Sequence, residues 1–210
     1  MAKKIIFLDL DGTILDVSER IYRVYSDILK KYKKKALSKR NYIKLKKQKK
    51  PIEEILKKTG AQDISSIYKK EWLENIEKKK YLRLDTLSTS KKRALIDLKK
   101  RNNLILITSR KKRKLLYDQI KIKGISDVFK KVIIVPEDWR EKVKLLKKEI
   151  KNKDCLLVSD TEGYISAGKN IGIKTVAVYD GVRTKDFLKK FSPNILIKNI
   201  TGLNQCNFLI

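Results

Sequence analysis

The sequence predicts an α/β protein with a doubly wound parallel sheet and an all-helical domain inserted after the first strand. Two observations lead to this prediction. After about residue 84, short continuous apolar runs alternate with helical segments, as in parallel strands that are buried on both faces and joined by helices. Before that point, from about residue 18 to residue 80, the spacing of the apolar residues is helical.

The predicted strands are short apolar runs. They are Lys4–Leu8, Leu104–Ile107, Val132–Val135, Leu156–Val158, Thr175–Val178 and Ile195–Ile197. The segments between the later strands are predicted to be helices, namely Lys91–Arg101, Lys111–Lys121, Arg140–Ile150 and Tyr164–Asn170.

The inserted segment begins with an amphipathic helix. Its apolar residues follow the i, i+3, i+4, i+7 spacing; they are Ile21, Val24, Tyr25, Ile28, Leu29 and Tyr32. Shorter helices are predicted over Lys39–Lys47, Pro51–Lys58 and Ile64–Glu77. We therefore expect an α/β core domain formed by residues 1–16 and 84–210, and a helical domain formed by residues 17–83.

The composition excludes several classes of function. The chain of 210 residues contains no histidine, which disfavours zinc sites and every Ser-His or Cys-His mechanism. Cys155 and Cys206 form no disulfide framework, and Cys155 is expected to be a small buried residue. No apolar run approaches the ~20 residues of a membrane span, so we expect a cytoplasmic protein without membrane contact. Catalysis must then depend on carboxylates, lysines, hydroxyls or a hard metal ion.

The net charge of +29 would attract phosphate groups on a small molecule or on nucleic acid. Twelve Lys and Arg residues and no acidic residue lie between Lys30 and Lys50. If they face a site, the substrate carries further negative charge, as a nucleotide or a sugar phosphate does, and Tyr32 and Tyr42 could stack on a base. The alternative, which we favour, is that the lysines are solvated and the tyrosines pack.

Polar residues follow three of the predicted strands. Asp9, Asp11, Gly12 and Thr13 follow the first strand, Thr108-Ser109-Arg110 end the next, and Ser159-Asp160-Thr161-Glu162 end another, while Lys142 precedes that last strand on a helix. In open α/β sheets, chemistry collects at the carboxyl ends of the strands. Two carboxylates there can share a Mg²⁺ ion, and a carboxylate can then attack phosphorus. Taken singly, each group is also common in surface turns or helix caps.

In this order, the four segments resemble the motifs of the haloacid dehalogenase (HAD) superfamily. The stretch from Asp9 to Ile14 is similar to the first motif, Ile107-Thr108-Ser109 to the second, Lys142 to the third, and Val158-Ser159-Asp160-Thr161-Glu162 to the fourth. Residues 167–176 are similar to phosphoglycolate phosphatase-like members, and the helical insertion resembles a type 1 cap. The resemblance covers nearly the whole chain.

The resemblance implies a role for each matching residue. Asp9 would be the nucleophile and a ligand of Mg²⁺, and Asp11 would be the general acid and base, with its backbone carbonyl on the metal ion. Thr108 would hold the phosphate, Lys142 would orient and neutralise Asp9, and Asp160 would complete the metal site. An acid at position 11 favours phosphatase over dehalogenase chemistry, because an ester leaving group needs a proton.

Gly12, Thr13 and Ser109 are the further substrate-binding candidates. The glycine lets the backbone approach a phosphate closely, and a hydroxyl can donate a hydrogen bond to a phosphate oxygen.

The fourth motif departs from the family pattern. Many members have a second acid four residues after Asp160, where this chain has Tyr164, and Ser159 replaces a common glycine. Glu162 is interpreted first as a surface residue at a helix start and second as a metal helper through water.

Three hypotheses stay open at this point. The first is a phosphatase that acts on a small phosphorylated metabolite, and the second is a phosphatase that acts on nucleic-acid ends, suggested by the charge. The third is a non-catalytic binding protein that kept the HAD fold, suggested by Tyr164.

Overall fold

The computed structural model describes residues 3–150 and 154–205, so Cys206 lies outside the described residues. The chain divides into two compact units. The first, here the α/β unit, consists of the residues up to Leu15 and those from Leu87 onward, and the second, here the helical unit, is Asp16–Thr86.

The α/β unit is built on a sheet of six strands that all pair in parallel. The strands are β1 (Lys4–Asp9), β2 (Asn102–Thr108), β3 (Lys131–Ile134), β4 (Cys155–Ser159), β5 (Lys174–Val178) and β6 (Ile195–Ile197). They are rich in branched apolar residues, and the central ones are buried over most of their length, as sheet packing between two layers of helices requires. The predicted fold class is confirmed, and Cys155 is buried as expected.

Among its described residues, the α/β unit has five α-helices. They are α6 (Thr89–Arg101), α7 (Arg113–Ile122), α8 (Trp139–Glu149), α9 (Glu162–Ile171) and α10 (Lys185–Lys189). The strand order is β3-β2-β1-β4-β5-β6, so the chain leaves β1 to one side through β2 and returns to its other side at β4. The carboxyl ends of these three strands therefore meet at the topological switch point of the sheet, where α/β proteins bind ligands.

The helical unit also contains five α-helices. They are α1 (Ser18–Lys31), α2 (Lys39–Lys47), α3 (Ile52–Lys57), α4 (Ser65–Asn75) and α5 (Lys79–Leu82). Its core contains a stacked pair of tyrosines among aliphatic residues: the ring centroids of Tyr25 and Tyr42 are 4.0 Å apart, and both side chains are fully buried. The idea that Tyr42 stacks on a base is therefore wrong, because its ring already packs between α1 and α2.

Ion pairs within the helical unit occupy part of its basic run. The pairs are Lys31–Glu71, Lys34–Asp63, Lys39–Glu19 and Lys50–Glu54. These acids come from outside the run, so folding brings them to lysines that look unbalanced in the sequence. The Tyr32 hydroxyl also donates a hydrogen bond to Glu71. This arrangement supports the structural interpretation of the lysines and tyrosines over a nucleic-acid surface.

The ends of the helical unit are hydrogen-bonded to each other. Asp16 N–H donates to the Thr86 carbonyl at 2.9 Å, and Thr86 N–H donates to the Asp16 carbonyl at 3.0 Å. A buried ion pair lies nearby in the chain, with Arg20 Nε 3.0 Å from Asp85 Oδ1.

The two short helices α5 and α10 were missed by the sequence analysis. They have four and five residues, which is too short for a helical spacing of apolar residues to show. None of the helices in the described ranges combines the length and the apolar composition of a membrane span.

Two glycines in α9 give a matched test of how closely this helix packs on the sheet. A methyl group at Gly168 would overlap Thr175 Cγ2 of β5, whereas one at Gly163 would have only Lys142 Nζ nearby, at 3.8 Å. Gly168→Ala should therefore lower the free energy of unfolding by about 1–3 kcal/mol through overpacking. Gly163→Ala should be neutral or stabilise by up to about 1 kcal/mol, because alanine favours helix.

Urea unfolding followed by circular dichroism measures both variants. Equal effects of the two substitutions would contradict this account of the packing.

Candidate active site

Asp9 lies at the carboxyl end of β1 and is 5% exposed. Each of its carboxylate oxygens accepts one hydrogen bond. Leu10 N–H donates to Oδ1 at 2.8 Å, and the Ser159 hydroxyl, at the end of β4, donates to Oδ2 at 2.8 Å. Since β4 pairs directly with β1, Ser159 is brought next to Asp9 by the sheet itself.

Asp160 follows β4 and is completely buried. The Thr13 hydroxyl accepts a hydrogen bond from Asp160 N–H at 2.9 Å and donates one to Asp160 Oδ1 at 3.2 Å, while Val182 N–H donates to Oδ2 at 2.6 Å. Gly12 has φ = +82°, and a side chain there would overlap the Asp160 carboxylate. A side chain at Gly181 would also overlap it. Because glycine has no side chain, these two positions leave space for the Asp160 carboxylate.

Both buried carboxylates have a raised pKa. Burial raises the pKa of Asp9 well above its ordinary value, and the negative charge of Asp160 raises it further. The hydrogen bond from Ser159 and the positive charge of Lys142 oppose this shift in the pKa of Asp9. Burial raises the pKa of Asp160 to about 7, against the hydrogen bonds from Val182 and Thr13. A cation between the two carboxylates would relieve both shifts.

Lys142 on α8 is 6% exposed and supplies positive charge to this cluster. Its ammonium donates to the Glu137 carbonyl at 2.9 Å and lies 4.4 Å from the centroid of the Tyr164 ring. Burial lowers the pKa of Lys142, and the nearby Asp9 carboxylate is the main opposing influence. The face of the Tyr164 ring therefore lies beside Lys142, and position 164 is where many HAD proteins have an acid.

Tyr164 itself is buried, and its hydroxyl has no hydrogen-bond partner of ordinary geometry within the described ranges. Burial raises the pKa of this phenol well above its ordinary value, and the Asp9 charge raises it further, whereas the neighbouring Ser109 hydroxyl lowers it.

Thr108 ends β2 at the same edge of the sheet, and Ser109 follows it. Asp9 pairs in register with Ile107, so Thr108 lies one residue beyond the level of Asp9 on the adjacent strand. Thr108 is 1% exposed, and its hydroxyl accepts a hydrogen bond from Arg110 N–H at 3.4 Å. The Ser109 hydroxyl donates to the Pro136 carbonyl at 3.4 Å.

Asp11 is held by Arg110, a residue to which the sequence analysis gave no role. Arg110 Nε donates to Asp11 Oδ2 at 3.0 Å and Nη2 donates to Oδ1, which makes the pair bidentate, while Nη1 donates to Gln119 of α7. The Arg110 side chain is 3% exposed and that of Asp11 is 32% exposed. The sequence shows that Arg110 directly follows the second motif, but it does not show that this side chain points toward Asp11.

Glu162 begins α9, as expected, but it is not a surface residue. Its carboxylate pairs with Arg183 Nε at 2.9 Å, and its side chain is only 13% exposed. Its neighbour in the chain, Thr161, has its hydroxyl 3.2 Å from that of Ser159. Glu162 is therefore attached to the segment after β5, the same segment whose Val182 binds Asp160.

The donor set fits a magnesium ion. In the described part of the chain, no group of three or more His, Cys, Asp or Glu side chains is placed to hold a metal ion. Mg²⁺ does not need one, because it is usually bound by one or two carboxylates, substrate phosphate and water. Asp9 and Asp160 offer two buried carboxylates that repel each other, all available donors are oxygens, and a hard cation would relieve the repulsion.

Known proteins are similar to this chain in sequence family and in fold. The family model described as haloacid dehalogenase-like hydrolase matches residues 5–178. A haloacid dehalogenase-like hydrolase from Streptococcus pneumoniae is similar in structure, with a TM-score of 0.78, 17% identity and 97% of each chain covered. A protein from Haemophilus somnus described as a predicted phosphoglycolate phosphatase has a TM-score of 0.73 and 18% identity, over 97% of this chain and 96% of that one.

A HAD-family hydrolase structure from Bacillus subtilis, described as bound to magnesium, has a TM-score of 0.67 and 14% identity, with 98% of each chain covered. The search of curated proteins gave no match. Because the family model covers most of the sequence, the chain belongs to the haloacid dehalogenase-like hydrolases. The family recognised from the four motifs is confirmed.

The buried carboxylates predict an unusual dependence of stability on pH in the absence of metal. The folded protein holds protons on Asp9 and Asp160 that the unfolded chain releases near the ordinary aspartate pKa of about 3.9. Both groups therefore stabilise the fold at low pH and lose this contribution as the pH rises, and for Asp160 the loss falls between about pH 4 and about pH 7. The Asp160→Asn variant has no carboxyl group to titrate at this position, so it should not lose the share of the unfolding free energy that Asp160 loses as the pH rises.

Urea unfolding in EDTA measures this effect. The unfolding free energy of Asp160→Asn relative to wild type should rise by a few kcal/mol between pH 4 and pH 7, as follows from about 1.4 kcal/mol per pKa unit. Asp118→Asn, at a side chain of α7 that is 44% exposed, is the control, and its difference from wild type should not change between pH 4 and pH 7. A parallel curve for Asp160→Asn would contradict the raised pKa.

Proposed function

We propose that the protein is a Mg²⁺-dependent phosphatase that hydrolyses a small phosphorylated metabolite through an aspartyl-phosphate on Asp9. The observation that carries the proposal is the burial of Asp9 at the switch point of the sheet, with Asp160 and Lys142 close enough to shift its pKa. Similarity in structure to a protein described as a predicted phosphoglycolate phosphatase supports phosphate as the group transferred.

The first step in this proposal is attack by an Asp9 carboxylate oxygen on phosphorus. The bond from phosphorus to the leaving oxygen breaks, its electron pair stays with that oxygen, and Asp11 donates a proton to it. In the second step a water molecule attacks the phosphorus of the aspartyl-phosphate, Asp11 accepts the water proton, and Asp9 is released with inorganic phosphate.

Ser159 and Leu10 N–H fix the orientation of Asp9 throughout, because each binds one of its oxygens. These two hydrogen bonds hold the Asp9 carboxylate in one orientation before the substrate binds.

Positive charge and hydrogen-bond donors would hold the transferred phosphoryl group. Lys142 lies near Asp9 and is positioned to offset negative charge as it develops. Thr108 and Ser109, with backbone N–H groups around Gly12 and Thr13, are the proposed phosphate contacts. Asp9, Asp160 and the Asp11 carbonyl would hold Mg²⁺, which when bound shields the anionic nucleophile from the anionic phosphate.

A small substrate is favoured over nucleic acid by the ion pairs of the helical unit. The basic run that suggested a polyanion is partly paired with acids from elsewhere in the unit, and Tyr42 is buried. The cap role of the helical unit stays a prediction of the resemblance.

Replacing the nucleophile tests the proposal. With Mg²⁺, the wild-type protein should release phosphate from p-nitrophenyl phosphate or from members of a metabolite-phosphate panel. Asp9→Asn should lose at least about 1,000-fold in kcat, because the amide cannot form the covalent intermediate. Phosphate release is measured colorimetrically.

The matched control is Asp118→Asn, which makes the same chemical change at an exposed position of α7 and should keep full activity. Full activity of Asp9→Asn would refute the nucleophile. No turnover by folded wild-type protein across the whole panel at saturating Mg²⁺ would instead support the non-catalytic binding protein.

A further inference from the structure

The bidentate pair between Arg110 and Asp11 connects two segments that the sheet brings to one edge. Asp9 is level with Ile107 on the neighbouring strand, so the residues that follow the two strand ends emerge side by side. Asp11 follows β1 by two residues, and Arg110 follows β2 by two. The guanidinium fork matches the two oxygens of a carboxylate in one plane, so the pair fixes the orientation of Asp11 as well as its position.

Arg110 is not placed to bind substrate. Each of its three guanidinium nitrogens donates to a protein oxygen, two to Asp11 and one to Gln119, and with its side chain only 3% exposed the group is enclosed by protein. Gln119 is itself 5% exposed, so α7 fixes the far side of the guanidinium inside the protein. A phosphate-binding arginine would present free N–H groups to the site, whereas this one presents Asp11.

We propose that Arg110 is a positioning residue that acts through Asp11, and that Gln119 holds Arg110 in place for this purpose. The inference rests on the proposed function, in which Asp11 gives a proton to the leaving oxygen. The protonated oxygen of Asp11 donates to that oxygen while its other oxygen still accepts from Arg110, and the guanidinium then stabilises the carboxylate that is left. A proton donor must lie about 2.6–3.2 Å from that oxygen. Asp11 is one-third exposed in the turn after β1, and the arginine restricts where its carboxylate can point.

This role predicts an effect that depends on the leaving group. Cleavage of benzyl phosphate expels an alkoxide, which needs the proton, whereas cleavage of p-nitrophenyl phosphate expels a stable phenolate, which does not. The ratio of kcat/KM for the two substrates therefore reports proton donation, because kcat/KM includes only the steps up to the first P–O cleavage. A residue that binds phosphate, or one that only stabilises the fold, would change both substrates alike.

Arg110→Gln should lower kcat/KM for benzyl phosphate by about 10- to 100-fold, the effect of a misplaced catalytic group. It should change kcat/KM for p-nitrophenyl phosphate by less than about threefold, since that reaction draws little on the acid. Arg110→Lys should give the same pattern, because an ammonium cannot form the fork. Gln119→Leu, which leaves both Asp11 and Arg110 in the chain, should give a smaller shift in the same direction.

A double-mutant cycle identifies the route of the effect. Asp11→Ala alone should lower the benzyl phosphate rate, and adding Arg110→Gln to it should cause no further loss in the substrate ratio. Arg20→Lys is the matched control, because it weakens another buried Arg–Asp pair, that with Asp85 in the helical unit. It should lower stability and leave the ratio unchanged.

The outcomes separate this inference from the proposed function. If p-nitrophenyl phosphate is hydrolysed and Asp9→Asn abolishes that activity, the proposed function stands whatever Arg110 does. Equal losses on both substrates, an unchanged ratio, or a further loss in the Asp11→Ala background would overturn the role of Arg110. If circular dichroism shows that Arg110→Gln does not fold, Arg110→Lys and Gln119→Leu test the role of Arg110 through the same ratio of kcat/KM for benzyl phosphate and p-nitrophenyl phosphate.

Discussion

The burial of two carboxylates side by side is the constraint on which the rest of the site depends. Asp9 and Asp160 lie at the ends of adjacent strands, and burial raises the pKa of each. Such a pair persists only where hydrogen bonds satisfy its oxygens, and here they come from a backbone N–H, two hydroxyls and the segment after β5. Much of the local conformation around the switch point therefore supplies hydrogen bonds to two carboxylates whose burial would otherwise be unfavourable.

This constraint also explains the positions of the glycines. Gly12 and Gly181 belong to different loops, yet a side chain on either would occupy the space of the same Asp160 carboxylate. The three segments after β1, β4 and β5 are thus packed around one acid, and each limits which residues the others accept.

The strands and the four motif positions could be predicted from the sequence because both are local. A continuous apolar run shows a buried strand, and a polar group directly after it must lie at the sheet edge. The role of Arg110 could not be predicted, because it depends on the register of β2 against β1 and on the position of Gln119 in a helix nine residues later. The pairing of Glu162 with Arg183 was hidden for the same reason.

Tyr42 is a residue for which the sequence pattern suggested a function that the structure does not support. An aromatic residue within a basic run has the composition of a base-binding surface, and only the packing of α2 on α1 shows that its ring is internal. Charge in the sequence is similarly incomplete evidence, since the acids that pair with the lysine run lie outside it.

The hydrogen bonds between Asp16 and Thr86 have a consequence for how such a protein can evolve. They join the two ends of the helical unit through one antiparallel bridge, so these two ends lie next to each other. The distance that the connection must span is then independent of how many residues lie between its ends. Helices can therefore be lengthened, exchanged or lost within the insertion while the α/β unit keeps its chain path.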